Sequence, residues 1–158
     1  TLFRSGPADA AQAIGKQFAM HIAATAPLAL SEYRFSARGV SARETLVGQA
    51  NAEAIDGRQV SGQGGLLDFH RAARVQAGGR AILALASTAK GGTISRIVPR
   101  LAAGTPVCVA RGDVDIVVTE HGVAQLGGLS LTERAHAIIC IADPRYRTWL
   151  REGLHDFR

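Results

Sequence analysis

The stretch Ser61-Gly62-Gln63-Gly64-Gly65-Leu66-Leu67-Asp68-Phe69 is the point around which the chain is organised. It reads as a glycine loop running straight into a helix. Glycines tolerate positive φ and let another molecule approach bare backbone. A helix starting there aims unpaired N–H groups, and a partial positive charge, at whatever lies over the loop. That suits an anionic oxygen: a phosphate, a carboxylate or a thioester oxyanion. A tight strand-to-helix turn that binds nothing has the same spacing, so the loop alone leaves both readings open.

Working outward, Thr45-Leu46-Val47-Gly48-Gln49 reads as a strand end. Ala52-Glu53-Ala54-Ile55 and Arg58-Gln59-Val60 flank Asp56-Gly57, a two-residue hairpin signal that delivers the chain to the loop. After the loop, residues 68–76 carry an apolar side of Leu66, Phe69, Ala72 and Ala73, an amphipathic helix closed by Gly78-Gly79. Residues 80–86 form a near-continuous apolar run, which suits a parallel strand buried on both faces. The polar run 87–93 follows at its carboxyl end, where open α/β sheets bind ligands.

Further short strands are expected at 97–98, 106–110 and 116–119. Glu120-His121-Gly122-Val123-Ala124 reads as another strand-to-helix corner. Ser130-Leu131-Thr132-Glu133 is a capping box for a helix through about Ile141, and Asp143-Pro144 starts a last helix. Toward the N-terminus, 7–26 reads as a helix with Ile14, Phe18 and Ile22 on one face, and 28–43 as irregular. The pattern is α/β with an open mixed sheet flanked by helices.

The 158 residues suffice for one domain with a real core, and 47% of them are apolar. No apolar run is long enough for a membrane span, and no signal peptide is visible, so a cytoplasmic protein is expected. The chain starts at Thr1 without a Met and reads as a piece of something longer. Its first five residues, Thr1-Leu2-Phe3-Arg4-Ser5, resemble a translated sequencing adapter. Residues 1–40 are therefore expected to be a truncated remnant and 41–158 the domain proper.

The net charge is +5, almost all of the cations are Arg, and they are spread along the chain. A nucleic-acid face needs a basic stripe with interleaved aromatics. Aromatics are only 5% here, so a small phosphate-bearing ligand, or simply a soluble surface, fits better. Cys108 and Cys140 lie in apolar runs and read as two reduced, buried thiols. His21, His70, His136 and His155 are far apart without i+4 pairing, so no metal site is expected.

Ser87, Thr88, Lys90, Ser95 and Arg96 gather hydroxyls and cations around Gly91-Gly92 at a strand end. That composition suits a phosphate or pyrophosphate, or a polar surface loop; it is not a Walker loop. Glu120-His121 is an acid–imidazole pair able to do general acid/base work. On a strand, however, sequence neighbours point to opposite faces, which favours a structural role. Serine hydrolase chemistry lacks its GxSxG signature.

Three groups of motifs resemble the acetyl-CoA hydrolase/transferase family. They are Leu46-Val47-Gly48-Gln49-Ala50-Asn51-Ala52-Glu53, the glycine loop through Phe69, and Ser87-Thr88 with Ser95-Arg96-Ile97-Val98-Pro99. Val117-Val118-Thr119-Glu120-His121-Gly122-Val123-Ala124, Glu133-Arg134-Ala135 and Ile141-Ala142-Asp143-Pro144 extend the match over about 41–154. The resemblance implies the C-terminal domain of a NagB/RpiA/CoA-transferase-like fold. It also implies a shuttle of CoA between an acyl-CoA and a small carboxylic acid, through a glutamyl-CoA thioester.

Backbone amides of Gly64 and Gly65 would then hold the oxyanion, with Gly62, Ser87, Thr88, Lys90, Ser95 and Arg96 on CoA. CoA is the substrate, no metal takes part, and a homo-oligomer is expected for the full-length enzyme. The family's nucleophilic Glu sits upstream in a His-x-Glu-like segment that nothing before Gly48 matches, since Glu32 and Glu44 have other surroundings. This chain alone is therefore expected to need an N-terminal domain and to be inactive without it. The segment 41–46 lacks the family's Asn and Asp, Gln125 replaces an Asp, and Asp143 replaces a His. Acetyl-CoA hydrolysis, a non-catalytic CoA-binding module and a generic nucleotide-binding domain are the alternatives.

Overall fold

A computed structural model describes residues 43–55, 57–75 and 80–154. The helix expected at 7–26 lies outside them. Two three-stranded mixed sheets form the centre. In the first, β1 (Arg43–Thr45) lies between β2 (Ala50–Asn51), antiparallel, and β8 (Ile97–Val98), parallel. In the second, β9 (Ile116–Thr119) lies between β10 (Gly122–Gln125), antiparallel, and β5 (Ile82–Ala84), parallel. Small hairpins join β3 (Ala54–Ile55) to β4 (Arg58–Gln59) and β6 (Thr88–Ala89) to β7 (Ile94–Ser95). Among the described residues three α-helices flank these strands: α1 (Leu66–Val75), α2 (Leu131–Cys140) and α3 (Arg147–Glu152).

The shared core contains Leu46, Leu83, Ile97, Val117, Leu126, Ile138 and Leu150. The chain thus has the α/β, mixed-sheet character that its patterning predicts. Local signals act where expected. The loop at Gly57 (φ +76) turns the β3–β4 hairpin with Ala54 opposite Gln59. Ser130 and Glu133 close a reciprocal capping box, with Ser130 N donating to Glu133 Oε2 at 2.8 Å and Glu133 N to Ser130 Oγ at 3.3 Å. Asp143 caps a single 3-10 turn over Pro144–Tyr146 before α3.

Other expectations are corrected. Residues 106–110 form no strand; they contribute one isolated bridge, Ala50 with Val109, because β2 offers only two residues to pair and Pro106 has no N–H. β5 is not buried on both faces. Leu83 on one face is buried, while Ile82 and Ala84 on the other are half-buried, so that second face is only partly covered. Cys140 is exposed rather than buried, because the inner face of α2 is taken by Arg134, Ala135, Ile138 and Ile139. On α1 the buried pair is Leu66 and His70, spaced i, i+4, whereas Ala72 is exposed.

Among the described residues, Glu44, Arg134 and Asp143 are charged and buried. Glu44 is fully buried in the middle strand β1, and neither carboxylate oxygen has a hydrogen-bond partner among the described residues. Burial pushes its carboxyl from 4.5 up to about 8, with the Arg134 guanidinium pulling the other way. Arg134, 8% exposed, donates from Nε to Val47 O at 2.9 Å, from Nη1 to Leu126 O at 2.9 Å and from Nη2 to Arg111 O at 2.7 Å.

Candidate functional site

The glycine loop emerges from the β3–β4 hairpin. Its base is fixed there: Val60 N and Ser61 N both donate to Glu53 O, and Ser61 Oγ donates to Ala52 O. Gly62, Gln63 and Gly64 are exposed, and Gly64 has φ +59, a left-handed conformation that L side chains enter only with strain. Phe69 N donates to Gly65 O at 3.0 Å, so helical bonding begins at Gly65 and the first turn of α1 opens toward the loop.

Behind the loop, Gln63 Nε2 donates to Cys108 O at 3.3 Å, and Cys108 Sγ accepts from Ala52 N at 3.0 Å. Burial pushes the Cys108 thiol up, so it is a packed thiol rather than a nucleophile. Asn51 is buried and closes its own turn, accepting from Glu53 N and Ala54 N and donating to Ala54 O.

Of the second group of sequence-chosen residues, Ser87 and Arg96 meet a residue placed outside it, Glu120. Ser87 N donates to Glu120 Oε2 at 2.8 Å, and Ser87 Oγ donates to Glu120 Oε1 at 2.6 Å. Arg96 N donates to Ser87 O, and the Glu120 carboxylate favours the charged Arg96 guanidinium, opposing burial, which pulls it down. Ser95 is buried and its hydroxyl donates to Ile97 O at 2.6 Å, at the start of the next strand, β8. Thr88 lies opposite Ser95 in the β6–β7 hairpin.

Lys90 is exposed at the tip of that hairpin, with positive φ at Lys90, Gly91 and Gly92. The tip is fixed from the other side: Tyr146 Oη donates to Gly92 O, and a Cβ at Gly92 would run into the Arg145 guanidinium. Arg145 itself is clamped bidentately by Asp143, whose carboxyl that arginine holds down to about 2.

Glu120-His121 is not a strand-to-helix corner. It is the two-residue turn of the β9–β10 hairpin, with Thr119 opposite Gly122. Gly122 at φ +148 allows the reversal, and His121 N donates to Thr119 Oγ1. The two side chains therefore share one side, with His121 Nε2 3.7 Å from Glu120 Oε1. Sequence reasoning missed Glu120 as the hub because Ser87 lies 33 residues away and only the β5–β9 pairing brings the two strand ends together. Replacing Ser87 with Ala is expected to cost about 1.5–2 kcal/mol by removing a charge-assisted bond. The urea midpoint measures it, and an unchanged midpoint would show that water replaces the hydroxyl at no cost.

The fold is a mixed α/β domain with an exposed glycine loop at a helix start and a polar group at the ends of β5 and β9. Residues 40–154 match the acetyl-CoA hydrolase/transferase C-terminal domain, and the chain belongs to that family. It is 50% identical over 102 residues to a 4-hydroxybutyrate coenzyme A transferase of Clostridium kluyveri, covering 65% of this chain and 24% of that protein. It is 49% identical over 108 residues to a succinyl-CoA:cyclohexane-1-carboxylate CoA transferase of Geobacter metallireducens, covering 68% and 25%.

Among solved structures, RipA from Yersinia pestis aligns with a TM-score of 0.67 at 44% identity, over 73% of this chain and 26% of that one. A 4-hydroxybutyrate CoA-transferase from Porphyromonas gingivalis aligns with a TM-score of 0.58 at 40% identity, over 73% and 25%. The chain thus spans about a quarter of the length of the curated relatives it matches. Among the described residues, no helix is long and apolar enough to cross a membrane.

Proposed function

We propose that this chain is the C-terminal domain of a cytoplasmic CoA-transferase that moves CoA between an acyl-CoA and a small carboxylic acid. The observation that carries the reading is the glycine loop: exposed, left-handed at Gly64, and continuous with the first turn of α1. In this reading the Gly64 and Gly65 amides hold the oxyanion formed when a glutamate carboxylate attacks the thioester. That glutamate belongs to a part of the enzyme that precedes these residues, and an acyl-glutamyl anhydride and a glutamyl-CoA thioester follow in turn. Ser87, Thr88, Lys90, Ser95 and Arg96, with Gly62, form the CoA side.

Within that group the geometry favours Lys90 for direct contact, because it is exposed, whereas the Ser87 and Ser95 hydroxyls are already engaged. Catalysis requires the part of the relatives that this chain does not span, and the full enzyme is a homo-oligomer. A hydrolase reading is supported by 39% identity over 100 residues to an acetyl-CoA hydrolase of Schizosaccharomyces pombe, of which the chain covers 18%. The two differ in whether water or a second carboxylate releases CoA.

Calorimetry with CoA and acetyl-CoA tests the site. A valine at position 64 must adopt φ near +59 and cover the loop, so Gly64→Val is expected to weaken acetyl-CoA binding at least about tenfold. Unchanged affinity would remove the loop from the site. Equal affinity for ATP or NAD would instead favour a generic nucleotide domain.

A further inference from the structure

His70 has no role in the proposed chemistry, yet it is the one histidine on the inner face of the helix that carries the glycine loop. Its ring is 5% exposed. Nδ1 lies 3.0 Å from Leu66 O, and a carbonyl only accepts, so the neutral ring carries its proton on Nδ1. Nε2 is then a bare acceptor, buried without a hydrogen-bond partner among the described residues. The charged groups around it are few. Asp113 and Asp115 face it from the loop after Val109, and each is engaged by an arginine of the same helix. Arg71 Nε lies 3.2 Å from Asp113 Oδ1, and Arg74 Nε lies 3.2 Å from Asp115 Oδ1. Arg74 Nη1 also donates to Gly112 O.

We infer that α1 is seated by a proton-sensitive latch, in which His70 must stay neutral for the helix, and with it the glycine loop, to hold its place against the 111–115 loop. Protonation puts a second N–H on a buried nitrogen that has no acceptor, and a full charge where little water reaches. The two aspartates attract that charge, but the arginines already draw on them. Burial prevails: it lowers the imidazole below its ordinary 6.5, against the pull of Leu66 O, Asp115 and Asp113. An imidazole freed into water binds the proton more readily than the seated one. Stability of the seated helix is therefore complete above about 6.5 and falls as pH drops below it, by up to about tenfold in the opening equilibrium per pH unit. An unseated α1 no longer presents its first turn to the loop, so acid weakens anion binding there. The latch stands whether or not that anion belongs to CoA, because its readout is the helix.

Hydrogen exchange of the whole chain from about pH 7.5 to 5, corrected for intrinsic rates, tests this with α2 as the internal reference. The expected result is that opening of Leu66–Val75 rises as pH falls from about 7 to 5, by up to about tenfold per pH unit, while α2 changes little, and that His70→Phe flattens the α1 response. A flat α1 profile in the parent, or an acid response that survives His70→Phe, overturns the inference. Should the Phe chain fail to fold, the His70 ring-proton titration in the parent decides. A shift that tracks α1 opening supports the latch, and a shift without opening overturns it.

Discussion

A Glu44→Val chain is expected to be more stable than the parent at pH 8, by about 3–5 kcal/mol. Glu44 is fully buried, opposite Ala50 on β2 and Ile97 on β8, and both of its carboxylate oxygens lack partners among the described residues. An unfolded chain releases this proton near 4.5, whereas the folded chain holds it to about 8. Between those values the folded state binds the extra proton, so stability falls as pH rises. The Glu44 contribution is fully present below about 4.5 and is lost as pH passes through about 8.

Valine suits a buried strand position and removes both the titration and the unsatisfied oxygens. Glu44→Gln removes the titration alone, so its pH slope should vanish with a smaller gain. Urea midpoints at several pH values, read as differences from the parent, isolate Glu44 from His70, which acts in the opposite sense below about 6.5. A valine chain no more stable than the parent at pH 8 would mean that Glu44 finds a partner in solution.

Arg134→Met is expected to lose about 3–5 kcal/mol, the largest loss among single substitutions on α2. The guanidinium joins four segments. From α2 it reaches the turn after β1 at Val47, the end of β10 at Leu126, and the loop carbonyls of Arg111 and Val114, the last at 3.4 Å. Methionine fills much of the volume but takes the guanidinium donors away from those carbonyls, of which Leu126 O keeps a backbone donor in Leu129 N, and it removes the charge that moderates Glu44. Arg134→Lys should recover less than half of the loss, because one ammonium cannot span the same fork.

Gly48 provides an internal check. Its φ is +89, and a Cβ there would lie on the Arg134 guanidinium. Gly48→Ala should therefore destabilise the parent more than it destabilises Arg134→Met, since removing the guanidinium relieves the clash but not the backbone strain. Additive losses in that double-mutant cycle would refute the contact.

The family was legible in linear motifs, and so were the elements whose chemistry is local. The Asp56-Gly57 hairpin, the Ser130–Glu133 box and the Asp143-Pro144 start depend on residues within about four positions of one another. Residues 106–110 were not legible as irregular, because an apolar run pairs only if a strand edge is available beside it, and β2 supplies two residues. The Glu120-His121 turn was missed for a related reason. Whether a glycine after a strand leads to a helix or to a reversal depends on which strand waits alongside, and here Gly122–Gln125 folds back on Ile116–Thr119. The buried side of α1 was also misread, since Ala72 and His70 exchange places with a modest rotation of the helix.

By itself, the sequence determined that this is an α/β domain of the acetyl-CoA hydrolase/transferase family, with a glycine loop opening a helix and with its caps and tight turns in place. Those features follow from φ preferences and short-range hydrogen bonds, which neighbouring residues settle among themselves. Tertiary structure alone decided how the charges are matched. It took Arg134 to a carbonyl 87 residues away, gave Ser87 to Glu120, and left Glu44 and the Nε2 of His70 buried without hydrogen-bond partners among the described residues. Burial and electrostatic compensation are set by whatever the fold brings alongside a group, and no local pattern encodes that.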